Sequence, residues 1–408
     1  MITQVRTARP SIVLGGQDYY GQLAPYLLRF EYTDSCDGAK TDDCQFHLAD
    51  RDRKFINEWM PAPGATFDAS IICERWFAPY AATLSLPCGT FYIDSVEFDL
   101  PAHTVSVKAN AIPNDTHGKV SNETKGWPPQ GTGTSLQEIA QKIADQNHLK
   151  LNWLATNNPQ YDRVEQVEQS AFQFLKRHAE DAKMEIKVAK NQLIVYDPLT
   201  MDQAGPSFTL VYGDAQAVGD TTIYRMSGGR FRLQVTDLTA STVISNTDIG
   251  DGMTTTKEFD ANQLLPTETG GTGGSAGGGQ QSIPGMPSAW KDNQNWNVDV
   301  KKSGNGSGSS PAPNVVGEGD LENYSSQDEA AADGALTKAQ AKTREKNRRQ
   351  YESDVILAMG NPLVAAGMTF MLVGCGQFDG KWFIESAHHT VGPTYETSLH
   401  IRRTLDGY

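Results

Sequence analysis

The sequence predicts a mainly β protein with an α+β insert: two β domains, the second one split, flanking a small α/β domain. Three observations predict it. Apolar and polar residues alternate with period two up to about Ile112 and again from Phe208. Between these stretches the spacing changes to that of helices, opened twice by a serine capping box. The second β stretch is interrupted by a long segment rich in Gly, Ser, Asn and Pro.

In residues 1–112, Ile12 and Leu14, then Leu28, Phe30 and Tyr32, then Cys44, Phe46 and Leu48 alternate with polar neighbours. Val96, Phe98 and Leu100 do the same, and after a turn at Pro101-Ala102-His103 so do Val105, Val107 and Ala109. Such alternation marks strands with one buried and one wet face. Several in succession make a sandwich or a barrel.

Residues 113–206 read as α/β. Ser135 and Glu138 form a capping box ahead of an apolar stripe of Leu136, Ile139, Ala140, Ile143 and Ala144. Ser170 and Gln173 form a second, ahead of Phe172, Leu175, Ala179 and Ala182. Met184 to Val188 and Leu193 to Tyr196 are short strands, the latter ended by Asp197-Pro198.

Residues 207–266 and 350–408 read as one split β domain, with strand texture at Phe208, Leu210 and Tyr212 and at Phe231, Leu233 and Val235. It resumes at Thr369 to Val373, Lys381 to Ser386 and Ser398 to Arg403. Residues 267–325 form the Gly/Ser-rich insert, whose composition cannot bury enough surface to offset its ordering entropy. Residues 326–349 read as a polar helix opened by Ser326 and Glu329, with a basic run that includes Arg344, Arg348 and Arg349.

The 408 residues suffice for about two to four domains. The net charge of −14 argues against nucleic acid as the main ligand, because phosphate binding needs a basic stripe. No stretch approaches the ~20 apolar residues of a membrane-spanning helix. The N-terminal segment lacks the apolar region of a signal peptide, so folding in a cytoplasm is expected. Five cysteines leave at least one free thiol; Cys36 and Cys44 bracket an Asp-rich loop where a disulfide is conceivable, while reduced thiols suit the compartment.

Several motifs together resemble the phage late control protein D family. Gly360 to Gly367 (GNPLVAAG) leads into Val373 to Ile384 (VGCGQFDGKWFI), then His388, His389, Tyr395 and a closing Leu399 to Arg403. These resemble the family's C-terminal barrel. Gly89 to Val96 (GTFYIDSV) resembles the end of its N-terminal barrel, and Ala171 to Glu180 (AFQFLKRHAE) the helix of its middle domain. The Gly-rich insert has no counterpart in that pattern. The resemblance implies two tube-type β-barrels per chain and a hub similar to the first half of VgrG spike proteins. Three chains would then form a ring whose six barrels face a six-fold tail tube, while the trimer faces a three-fold spike. Its implied partners are the tail tube protein, the spike protein, baseplate wedge proteins and a tape-measure protein in the lumen. The implied place is the baseplate of a virion tail.

No catalytic, cofactor or metal site is expected. His388 and His389 are adjacent on a strand and point to opposite faces, so they read as ordinary strand histidines. Asp379-Gly380 reads as the tip of a tight turn and Trp382 as a barrel anchor. Arg230 and Arg232 share the polar face of one strand, and Arg402 lies on another. They stand either to line a lumen or to pair with carboxylates across a subunit boundary. Trp290, Trp296, Arg344, Arg348 and Arg349 are the expected partner contacts.

Two other functions compete with the hub. A cell-wall hydrolase needs two carboxylates in a folded cleft, and the Gly-rich insert is too poor in apolar residues to build one. The sequence also holds no H-E-x-x-H or G-x-S-x-G motif. A carbohydrate-binding adhesin would use Trp290 and Trp296 as stacking platforms; anchoring the insert against a neighbour is the preferred role.

Overall fold

The computed structural model describes residues 5–36, 41–78, 81–112, 123–128, 133–216, 221–233, 241–247, 254–260, 348 and 351–404. The chain divides into two units, Met1–Gln234 with Arg349–Thr404, and Val235–Arg348 with Leu405–Tyr408. The first unit is built on three hydrophobic cores. No described helix is long and apolar enough to cross a membrane.

The first core belongs to β1 (Thr7–Leu14), β2 (Gln17–Asp18), the single turn α1 (Tyr20–Leu23), β3 (Leu27–Ser35), β4 (Asp43–Ala49), β5 (Thr66–Glu74), β6 (Leu84–Asp99) and β7 (Thr104–Asn110). The strands run in the order β2-β1-β5-β6-β7-β4-β3 with antiparallel pairing throughout. Alternation works as expected at Cys44, Phe46 and Leu48 and at Val105, Val107 and Ala109, all buried. It fails at Leu28, which is 48% exposed although Phe30 and Tyr32 are buried. A bulge between Leu27 and Arg29 shifts the phase there. The thiols of Cys36, Cys44, Cys73 and Cys88 are buried and free.

The second core is α/β. β8 (Glu123–Trp127) and β9 (Thr134–Ser135) precede α2 (Leu136–Gln146), β10 (Lys150–Trp153), β11 (Gln160–Tyr161) and β12 (Val164–Gln169). Then come α3 (Ala171–Asp181), β13 (Glu185–Ala189), β14 (Gln192–Tyr196) and α4 (Pro198–Gln203). A three-stranded sheet, β10-β14-β13, carries α2 and α3, while β9 with β11 and β8 with β12 form two-stranded ribbons. Both capping boxes are formed, with Ser135 accepting from the Glu138 amide at 3.2 Å and Ser170 from Gln173 at 3.3 Å. Ser135→Ala is expected to lower unfolding free energy by about 1 kcal/mol. Urea titration of the two proteins checks this, and an unchanged midpoint would contradict it.

The third core lies in a closed barrel. β15 (Phe208–Val211) and β16 (Thr222–Leu233) begin it. β17 (Ser241–Thr247) and β18 (Thr254–Asp260), of the second unit, pair as a separate antiparallel ribbon. β19 (Tyr351–Leu357), β20 (Thr369–Val373), β21 (Gly380–Val391) and β22 (Tyr395–Arg403) complete the barrel. Its ring is β15-β16-β19-β22-β21-β20 and back to β15. β15 is parallel to both neighbours, and all four of its residues are buried. A parallel strand covered on both faces is continuously buried, so the alternation read there extends only to its sequence. Trp382 is fully buried, its indole N–H donating to the Phe378 carbonyl at 2.8 Å. The turn before it is closed by the Cys375 amide donating to Asp379 at 2.6 Å.

One strand joins the two β domains. Residues 380–383 of β21 pair with β20, and residues 386–391 pair with β3 on the same edge. The switch falls at a bulge in the β21–β22 pairing between Ile384 and Ser386. Val391 of β21 and Tyr395 of β22 enter the first core. Thus β3, whose edge would meet β1 in a closed first barrel, carries β21 instead. Gly360 sits where this junction is tightest, because a Cβ there would lie 2.5 Å from the Tyr395 carbonyl oxygen. Its own carbonyl accepts from the Trp76 indole at 2.6 Å.

Candidate assembly surface

Pairing across the closed barrel lays its outward side chains in two rows. Arg230 of β16 is opposite Asp354 of β19, which is opposite His400 of β22. Arg232 is opposite Glu352, which is opposite Arg402. Inward positions between them, Val355, Leu399 and Ile401, are buried. Arg232, Glu352 and Arg402 alternate in charge along their row, the arrangement that favours cross-strand attraction.

The two ends of the rows differ. Arg230 and Arg232 are exposed, and neither guanidinium has an ion pair among the described residues. Arg402 is 1% exposed. Its guanidinium grips Asp202 of α4 with both terminal nitrogens, at 2.7 and 3.0 Å, and its Nε lies 3.1 Å from Glu385 Oε1. The Phe383 ring lies 4.4 Å from the guanidinium carbon. The sequence set Arg402 beside Arg230 and Arg232 as a residue for a lumen or a subunit boundary; within this chain α4 covers it. The signal was present: Asp197 caps α4 by accepting from the Leu199 amide, with Pro198 at the first helical position. Read only as the end of a strand, Asp197-Pro198 hid the helix that brings Asp202.

Arg348, an expected partner contact, is 9% exposed within this chain. Trp290, Trp296, Arg344 and Arg349 lie outside the described residues.

A second set of buried charges holds the α/β domain to the first β domain. Lys187 of β13 pairs with Asp34 of β3, and its ammonium is 3.4 Å from Asp42. Asp42 accepts from the Ser35 amide at 3.0 Å and the Tyr32 hydroxyl at 3.3 Å. Asp34 accepts from the Ala366 amide at 2.9 Å, which ties in the chain leading to β20. One cation thus faces two carboxylates. Burial opposes the Lys187 charge, yet the Cys36 thiol, Asp42 and Asp34 beside it hold its pKa above the ordinary value. Burial pushes Asp42 up to about 7, against Lys187 and together with Asp34.

The histidine pair obeys strand geometry. His388 meets the Thr33 hydroxyl at 3.1 Å, while His389 is fully buried and stacked on Tyr32 with ring centroids 6.0 Å apart. His389 Nδ1 lies 2.9 Å from the Tyr395 hydroxyl and 3.1 Å from that of Thr397. Burial pushes its pKa down to about 4 from 6.5. The folded state therefore binds fewer protons than the unfolded state between those values, so this stability is present above 6.5 and is lost as pH falls through 4. At 1.36 kcal/mol per unit the loss approaches about 3 kcal/mol. Unfolding free energies at pH 4.5 and 7 are expected to differ less in His389→Gln than in the parent. Equal pH dependence in the two proteins would contradict the assignment.

A closed six-stranded barrel and a second β-sheet share one strand, with an α/β domain between them in sequence. No family model and no curated protein matches the sequence. Solved structures do match the fold. The 43 kDa tail protein of prophage MuSo2 from Shewanella oneidensis superposes with a TM-score of 0.57 at 11% identity, over 98% of this chain and 99% of its own. The tail protein from Neisseria meningitidis MC58 gives 0.58 at 11% identity, over 98% and 99%. The correspondence runs through almost the whole length of both proteins and is one of fold.

Proposed function

We propose that this chain is the structural hub of a contractile phage-type tail baseplate. Three copies form a ring that joins a six-fold tail tube to a three-fold spike. The observation that carries the reading is the pairing of two β domains in one chain, one of them a closed six-stranded barrel, through a shared strand, β21. Two such domains in each of three chains present six to the tube. A covalent duplication of this kind resolves a mismatch between six-fold and three-fold symmetry, and a closed ring satisfies the rule that stable oligomers close on themselves.

The exposed Arg230 and Arg232 support a polar subunit or partner contact on the outer face of the closed barrel. A chain of net charge −14 supplies acidic surface in the neighbouring copy. The role is assembly rather than catalysis. The partners are the tube protein, the spike protein, baseplate wedge proteins and a tape-measure protein in the lumen. The hub is assembled in the host cytoplasm and resides in the virion tail.

The test is absolute mass by light scattering, on the chain alone and with its candidate spike. A mass of three chains in either sample is expected. A monomer in both would overturn the trimeric hub.

A further inference from the structure

The outer face of the closed barrel holds a set of side chains that the assembly reading does not use. We propose that Glu352, Glu385 and His400 form a binding site for one divalent zinc-type ion, which staples three adjacent strands. One oxygen or nitrogen from each residue lies within 4.8 Å of the others. The ligands come from β19, β21 and β22, neighbours in the barrel.

Two local features aim them together. Ile384 and Ala387 both point into the core although they are three residues apart, because the bulge intervenes. The bulge turns Glu385 onto the outer face, the re-aiming role that bulges serve beside functional sites. Asp354 then orients the ring of His400, with its oxygen 2.8 Å from Nδ1. A proton on Nδ1 makes Nε2 the lone-pair nitrogen of the neutral ring. That nitrogen faces Glu385 Oε2 at 3.6 Å, while Arg402 holds the other oxygen, Oε1. A carboxylate behind a metal-binding histidine is the usual second support of such a ligand.

With the proton on Nδ1, one lone-pair atom from each residue faces the same point. A cation satisfies all three at once. A mixed nitrogen and oxygen set of three, open to solvent on one side, matches zinc with water in the fourth position. Calcium and magnesium prefer all-oxygen sites with more ligands. Ligands about 2.0–2.2 Å from zinc stand roughly 3.3 Å apart in a tetrahedron, so only a small closure of the three side chains is needed. The ion would fix β19 against β22 and β21 beside the rows that end in Arg230 and Arg232.

The experiment uses the full chain, stripped with a chelator and titrated with Zn2+ by calorimetry. The same titration is run on His400→Gln, Glu352→Gln and Asp354→Asn. Melting curves in chelator establish that each variant folds like the parent. One site per chain is expected. It should weaken by at least about a hundredfold without His400 or Glu352, and by about ten- to a hundredfold without Asp354. Co2+ in place of Zn2+ should give the intense visible absorption of a tetrahedral site in the parent and lose it in His400→Gln. Absence of a stoichiometric site, or an affinity unchanged in His400→Gln and Glu352→Gln, would overturn the proposal. A His400 ring resonance unmoved by metal would say the same.

Discussion

Arg402→Met is expected to lower the unfolding free energy by about 3–5 kcal/mol, the cost of breaking a buried ion pair from one side. Methionine fills much of the same volume, so the loss comes from charge rather than from a cavity. Asp202 and Glu385, each 7% exposed or less, would be left without the guanidinium that both face. Arg402→Lys should recover only part of the stability, because an ammonium cannot grip Asp202 with two parallel nitrogens. Urea titration with circular dichroism reads the effect. A loss below about 1 kcal/mol for Arg402→Met, the size of an exposed pair, would show that α4 does not seal this site in solution.

Lys187→Met is expected to cost a similar amount, about 3–5 kcal/mol at pH 8, with a pH signature of its own. Asp34 and Asp42 would then share the site with no cation. Burial already pushes Asp42 up to about 7, above its unfolded value of 3.8. A raised carboxylate contributes stability that is present below its unfolded pKa and is lost as pH rises through its folded pKa. Removing Lys187 extends that loss to higher pH, so the penalty of the substitution should shrink on acidification from pH 8 to pH 5. The effect of His389 runs the other way but is common to both proteins and cancels in their difference. A penalty that grows on acidification would contradict the proposed charge arrangement.

The local parts of this fold were legible in the sequence. Ser135 with Glu138 and Ser170 with Gln173 named both helix starts, and each box forms with the expected partners. Period-two runs named β4 and β7, because a residue facing water and a residue facing the core differ chemically. What stayed hidden is non-local. The β21–β3 junction pairs residues such as His389 and Tyr32 that are hundreds of positions apart, and no local pattern records it. The bulge that re-aims Glu385 changes the strand's phase by one residue without any motif.

The candidate site divides in the same way. Arg230 and Arg232 were legible as an exposed pair, since their strand alternates around Phe231. Arg402 looked equivalent to them, and it occupies the same outer face of the barrel. Only the position of Asp202 on α4 separates a buried anchor from a surface charge. Glu352, Glu385 and His400 share no spacing that a sequence motif could capture, since each is contributed by a different strand.

The measurement that bears most directly on the hub is the symmetry of the assembled ring, seen down its axis in averaged images of vitrified particles. The account predicts a three-fold ring with six barrel-sized lobes around a lumen, two lobes from each chain. A ring of six chains, an open filament or isolated chains in the presence of the spike would contradict it.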